Sequence, residues 1–179
     1  LTDYFFPIRT AQDWHDFAVK INNAKNTEDI NARLYADIEV SEHVGVDPGA
    51  YYRGTFDGNG HTVTFNKSDW TEEYMAPFRY VGNATFRSLH TAGTISSSNK
   101  FVGGLIAEVL EGSTVFIENC RSSMTINSGV NGDATNGGFI GVIRPSSRVI
   151  IRTSEFDGSF TGDNCHSNGG FVGWTDSGS

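Results

Sequence analysis

A glycine-led block recurs three times in the second half of this sequence: GGLIAEV from Gly103, GGFIGVI from Gly137 and GGFVGWT from Gly169, at steps of 34 and 32 residues. A second block precedes each copy: FRSLHTAGTI from Phe86, IENCRSSMTI from Ile117 and IRTSEFDGSF from Ile151, at steps of 31 and 34 residues. Two blocks recurring in one order at nearly constant spacing define a repeat. A unit this small cannot bury its own apolar face, so neighbouring units must stack, with equivalent residues about 4.8 Å apart, around a shared core. Three ladders are expected: Leu105, Phe139 and Phe171; Leu89, Cys120 and Ser154; Ile95, Ile126 and Phe160. Ile106, Ile140 and Val172 alternate to other contacts. The glycine pairs suit corners where backbones approach closely.

The first part of the chain reads differently. In TAQDWHDFAVKINNA, Thr10 and Asp13 form a capping box, and Trp14, Phe17, Ala18 and Ile21 make one apolar stripe at helical spacing. The polar run NAKNTED ends it. ARLYADIEV then alternates Ala32, Leu34, Ala36, Ile38 and Val40 with other residues, which predicts a strand with one buried face. In YRGTFDGNGHTVTF, Asp57-Gly58 and Asn59-Gly60 mark the first corner of the solenoid, and HTVTF the strand on which the next coil stacks. One domain is expected over residues 1–179: a helix at 8–24 closing the first coil, that coil at 32–65, an aromatic insertion at 66–83 and repeats over 84–179. The sequence stops within a unit, at GGFVGWTDSGS, so further repeats, further domains or a partner are expected at that end.

Charge excludes one class of partner. The formal net charge is −8 and the pI about 5.0, whereas nucleic acids need clustered Lys and Arg. No window approaches 18 apolar residues, so no membrane span is expected. LTDYFFPIRT carries no basic-then-apolar leader pattern; a leader of an exported protein would have been removed or lie outside this stretch. Of the two cysteines, Cys120 occupies a ladder position and Cys165 an outward loop, so pairing them requires that loop to fold inward.

Several segments carry residue types suited to chemistry. Asp57, Asn59 and His61 open like a calcium loop, but Ser68 stands where an EF-hand needs a carboxylate. They read as turn residues bonding their own backbone. A β-helical lyase or hydrolase needs paired carboxylates, or carboxylates with Arg or Lys, on one outer face. Glu108, Glu118, Asp133, Glu155, Asp157 and Asp163 are candidates, with Glu118 and Arg152 placed for a cross-coil ion pair. The loops VNGDATN and TGDNCHSN offer oxygens for a Ca²⁺ shared between coils, though carboxylates are few and no cofactor is expected. In residues 66–83, aromatics stand beside carboxylates, the composition a sugar platform requires. The candidate glycan site comprises Tyr51, Tyr52, Trp70, Tyr74, Tyr80, Asp69 and Glu72; the alternative is that these rings close the core.

Gly138-Phe139-Ile140-Gly141 and Gly170-Phe171-Val172-Gly173 resemble the GLUG motif of bacterial surface and secreted proteins. Gly104-Leu105-Ile106-Ala107 departs at its last position, where that coil is expected to turn differently. The resemblance covers residues 8–179. It implies an all-β fold, a right-handed single-stranded parallel β-helix with a short N-terminal capping α-helix, located extracellularly or on a bacterial cell surface. The motif is structural and brings no catalytic residues. The leading expectation is therefore a non-catalytic module for adhesion, display or spacing, with host or dietary glycans or a surface protein as partner. The alternatives are a carbohydrate-binding module using residues 66–83 and a β-helical polysaccharide lyase or hydrolase.

Overall fold

The computed structural model describes residues 4–23, 28–163 and 165–179. The chain is a parallel β-solenoid closed at one end by a helix. One sheet runs in the order Phe6–Ile8, Ala32–Leu34, Tyr52–Asp57, Phe78–Arg87, Ile106–Val109, Ile140–Ile143 and Val172–Thr175. Strands far apart in sequence lie side by side because successive coils stack in parallel. Thr114–Glu118 pairs with Phe78–Arg87 on one side and Arg148–Arg152 on the other. The opposite wall stacks Ile38–Val40, Thr62–Phe65, His90–Ser97 and Arg121–Ser128, followed by Glu155–Phe156 and Ser159–Thr161. Gly132–Gly137 and Cys165–Gly169 form a third, two-stranded wall.

All three ladders form. Ile126 pairs with Ile95 and with Phe160. Leu105 and Phe139 donate their N–H groups to the carbonyls of Phe139 and Phe171, and the two Phe rings stack at 5.5 Å and 7°. Arg121 N–H bonds the Leu89 carbonyl and Glu155 N–H that of Cys120, which places Leu89, Cys120 and Ser154 in one column. The Ala107 coil does not turn differently: Ile106 and Glu108 keep register with Ile140 and Val142.

The glycine pairs are dictated by sterics. A Cβ on Gly103, Gly137 or Gly169 would stand 1.8 Å from the carbonyl oxygen of Ile106, Ile140 or Val172 in its own coil. A Cβ on Gly104 or Gly138 would stand 2.1 or 2.0 Å from the carbonyl of Gly138 or Gly170 in the coil below. Corners elsewhere use left-handed residues in columns. Ser88, Asn119 and Thr153 have φ of 49°, 51° and 48°; Tyr74, Phe101, Thr135 and Ser167 have 57°, 64°, 50° and 61°. The stretch 32–65, expected as one coil, is two, because Tyr52–Asp57 stacks on Ala32–Leu34 and Thr62–Phe65 on Ile38–Val40. In the second of them the corner is longer: Asp57 Oδ1 accepts the Asn59 N–H at 2.9 Å, and Asn59 and Gly60 turn at φ 51° and 80°.

Register also assembles a column of alternating charge, Arg33, Asp57, Arg87, Glu118 and Arg152, one residue per coil. Asp57 binds Arg33 at 3.0 Å and Arg87 at 2.9 Å, and Glu118 meets Arg152 at 3.8 Å. Burial pushes the Asp57 carboxyl up, but the Asn59 N–H and Arg87 outweigh it and hold its pKa below the usual carboxylate value.

The helix runs Ala11–Asn22 with the Thr10–Asp13 capping box present, and buries Trp14, Phe17, Ala18 and Ile21. Trp14 meets Phe56 and Phe78 edge-on at 6.0 and 5.6 Å, sealing the first coil. The expected span of 8–24 is corrected at its start: Ile8 ends a strand, Phe6–Ile8, that pairs with Ala32–Leu34 as an outermost rung. Pro7 suits an edge, where one side needs no donor. Ala24 and residues 25–27 of the NAKNTED run lie outside the described residues.

Three further expectations are corrected. ARLYADIEV is two strands, Ala32–Leu34 and Ile38–Val40, in different walls; buried alternation continues through the corner between them, so period alone does not reveal the bend. Residues 66–83 are not an insertion. Lys67–Ser68 pairs with Ile95 and Ser96, Phe78–Arg87 is a central strand, and only the stretch between them leaves the walls, with Met75 and Ala76 buried. The loops VNGDATN and TGDNCHSN are not outward excursions, since both contribute to the paired third wall; Asn164 lies outside the described residues. Cys165 thus begins a strand, and both cysteines are free. Burial pushes the Cys120 thiol up to about 11. No helix among the described residues is long and apolar enough to cross a membrane.

Candidate functional site

The seven residues of the expected glycan site scatter. Tyr52 is fully buried among Phe17, Phe56, Phe78 and Phe86, so it belongs to the core. Tyr51 packs its ring on Gly82, where any Cβ would stand 2.3 Å from the ring edge. Tyr74 stacks on Phe101 at 5.3 Å and meets Tyr80 at 5.6 Å. Arg144 caps this group, donating to Tyr74 Oη and to the buried Glu108, both at 3.0 Å, and to Asp176 at 3.2 Å. These rings form a clamp between coils.

The two carboxylates are also engaged. Asp69 Oδ1 accepts the N–H groups of Thr71 and Glu72 and the Thr71 hydroxyl, closing its own turn. Glu72 is bound by Arg79 at 2.5 Å, Lys67 at 3.1 Å and the buried His43 at 3.4 Å. The His43 hydrogen bond and charge, with Lys67, outweigh burial and hold the Glu72 carboxyl at about 2.

Trp70 alone of the seven stays open, with 51% of its surface exposed. Its backbone carbonyl accepts the Ser98 hydroxyl at 2.9 Å, and its ring lies over Gly129, where a Cβ would stand 2.9 Å from the ring. Gly129 lines an open cleft of about 500 Å³ together with Asn127, Val130, Asn131, Thr161 and Asp163, among others. The rim thus sets an exposed indole beside amides, a hydroxyl and one carboxylate.

Beside the cleft, the outer face of the second wall is a lattice of short polar side chains. One row is Ser68, Ser96, Asn127 and Thr161, and its neighbour is Thr94, Thr125 and Ser159, each residue paired with the next across coils. Asn127 Nδ2 donates to Ser96 Oγ at 3.3 Å, Thr161 Oγ1 to Asn127 Oδ1 at 3.2 Å, and the Thr125 and Ser159 hydroxyls meet at 3.2 Å. These residues escaped sequence reading because isolated Ser, Thr and Asn are ordinary surface composition. Their superposition at the repeat spacing was the available signal.

One cluster on the same face brings a serine, a histidine and an aspartate together. Ser123 Oγ lies 2.8 Å from His90 Nε2, but it donates its proton to Asp157 Oδ1 at 2.6 Å. It therefore accepts from His90, whose Nδ1 faces the Thr62 hydroxyl at 3.2 Å. Burial and Arg121 lower the His90 pKa, and Arg121 also grips Asp157. A nucleophilic serine needs the imidazole as acceptor, the reverse of this polarity.

Three other carboxylates of the repeats each meet a cation. Glu118 pairs with Arg152 as the sequence suggested, Glu108 with Arg144, and Asp133 with Lys100 at 3.6 Å. Among the described residues no three His, Cys, Asp or Glu side chains converge as a metal site.

No family model matches the chain, and no curated protein and no solved structure is significantly similar to it.

Proposed function

We propose that this chain is a non-catalytic binding module of an exported or cell-surface protein, a rigid solenoid for adhesion or display that recognises saccharide at the Trp70 cleft. The observation that carries the reading is the half-exposed indole on Gly129 at the rim of a cleft lined by Asn127, Asn131, Thr161 and Asp163. An indole face takes the C–H face of a pyranose, while amides and hydroxyls satisfy its hydroxyls. Glu118, Asp133 and Asp157 each meet a cation, and none of them lines the cleft. Among the described residues the cleft thus offers the one carboxylate of Asp163 where acid–base cleavage of a glycoside uses two, which supports binding. The GLUG-like blocks support the surface location. A glycan array probed with the native chain and Trp70→Ala tests the reading. The native chain should bind a defined glycan set and Trp70→Ala should lose it by about tenfold or more, as for loss of a stacked ring. Binding that survives the substitution would remove the cleft as the site.

A further inference from the structure

We infer that the ligand is a neutral, linear polysaccharide that lies along the solenoid axis across several coils, an inference that rests on the saccharide reading of the Trp70 cleft. Charge gives its first half. Among the described residues Asp163 is the single charged one lining the cleft, and the nearby Lys100 is paired with Asp133. A uronate or sulfated chain would meet a carboxylate there and no Lys or Arg among the described lining residues, on a protein of formal net charge −8.

Periodicity gives the second half. Ser68, Ser96, Asn127 and Thr161 repeat one functional group per coil over four coils, and Thr94, Thr125 and Ser159 repeat it over three. Both rows run along the axis at the spacing between strands, about 4.8 Å. Only a ligand that presents hydroxyls again and again in that direction engages a whole row; a single sugar reaches one or two rungs. The rows are also preorganised. Their lateral hydrogen bonds at 3.2–3.3 Å hold the side chains in place, while hydroxyl and amide oxygens keep a second lone pair for ligand. Ordering that is already present in the free protein is not lost again on binding. At the row's edge, Trp70 spans Ser98 and Gly129 of successive coils, so its ring too is laid along the axis.

Calorimetric titration with neutral gluco-, xylo- and manno-oligosaccharides of two to six residues, and with oligogalacturonates of the same lengths, tests this. At least one neutral series should bind, with affinity rising about tenfold or more from dimer to hexamer, and the galacturonates should not. Thr125→Val and Asn127→Ala should each weaken the hexamer about threefold or more, the scale of one hydrogen bond, and change the dimer less. Trp70→Ala should weaken every length. Trp70-dependent binding of galacturonate overturns the neutral assignment and leaves the cleft reading standing. Trp70-dependent binding that is equal for dimer and hexamer overturns the extended mode alone. Binding indifferent to Trp70→Ala, or no binding by any series, overturns both.

Discussion

Gly138 and Gly170 occupy the same place in successive repeats, yet alanine should cost stability at only one of them. A Cβ on Gly138 would stand 2.0 Å from the Gly170 carbonyl oxygen and 2.5 Å from the Phe156 ring. The ring can yield, but the carbonyl belongs to the hydrogen-bonded backbone of the coil below and cannot move without breaking the stack. Overpacking of this severity costs about 3 kcal/mol or more. At Gly170 nothing lies within 4 Å of the added carbon and φ is not left-handed, so Gly170→Ala should be neutral or stabilising by up to about 0.5 kcal/mol. Gly169→Ala supplies the third arm: its clash, at 1.8 Å, is with the carbonyl of Val172 in its own coil and needs no neighbour. Urea unfolding of the 179-residue chain reads the difference. With a slope of about 2 kcal/mol/M, Gly138→Ala should lower the midpoint by about 1.5 M while Gly170→Ala leaves it in place. Equal losses for Gly138→Ala and Gly170→Ala would refute the assignment of the second glycine to contact between coils.

Two further predictions concern ionic groups. Arg144→Met strands the buried Glu108 carboxylate and should cost about 2–3 kcal/mol; adding Glu108→Met should recover most of the loss in a double-mutant cycle read by urea unfolding. Glu72, held at about 2 against an ordinary 4.5, adds stability that is fully present above 4.5 and is lost as pH falls toward 2. Allowing for its partial exposure this amounts to about 1–2 kcal/mol. Glu72→Gln should therefore show a shallower fall in urea midpoint from about pH 5 to pH 2.5 than the native chain, and parallel curves would contradict the shift.

Much of the architecture was legible because the repeat is a sterically enforced pattern. Gly137-Gly138-Phe139 encodes two forbidden Cβ positions and one stacking ring, and such constraints leave residue identities behind. The helix was equally plain, since Trp14, Phe17, Ala18 and Ile21 fall on one stripe. What failed was reading local pattern as shape. Ala32 to Val40 keep their alternation while the chain turns a corner, and Phe6–Ile8 is too short for any period to show. Tyr52 was taken for a binding aromatic because ring chemistry is the same in a core and in a site; its neighbours Phe56, Phe78 and Phe86 decide, and two of them arrive from the next coil. The charge column from Arg33 to Arg152 and the hydroxyl rows share one difficulty. Their members lie 24 to 34 residues apart in sequence and become neighbours only through register. Trp70 was legible from composition, while the cleft residues Asn127, Asn131 and Thr161 come from two later coils.

The chain's three tryptophans make the most direct test of the binding claim, because each reports on a different place. Trp14 is buried under the helix with its indole N–H on the Glu42 carbonyl at 3.0 Å. Trp174 is 47% exposed and bonded to Asp176 at 3.0 Å. Trp70 overlies Gly129 at the cleft. A proton–nitrogen correlation spectrum recorded during titration with a bound neutral oligosaccharide resolves the three indole signals. The account predicts that Trp70 and the backbone amides of Gly129 and Asn131 shift to saturation while Trp14 and Trp174 stay fixed. Saturable binding that moves Trp174, or leaves Trp70 unmoved, would contradict it.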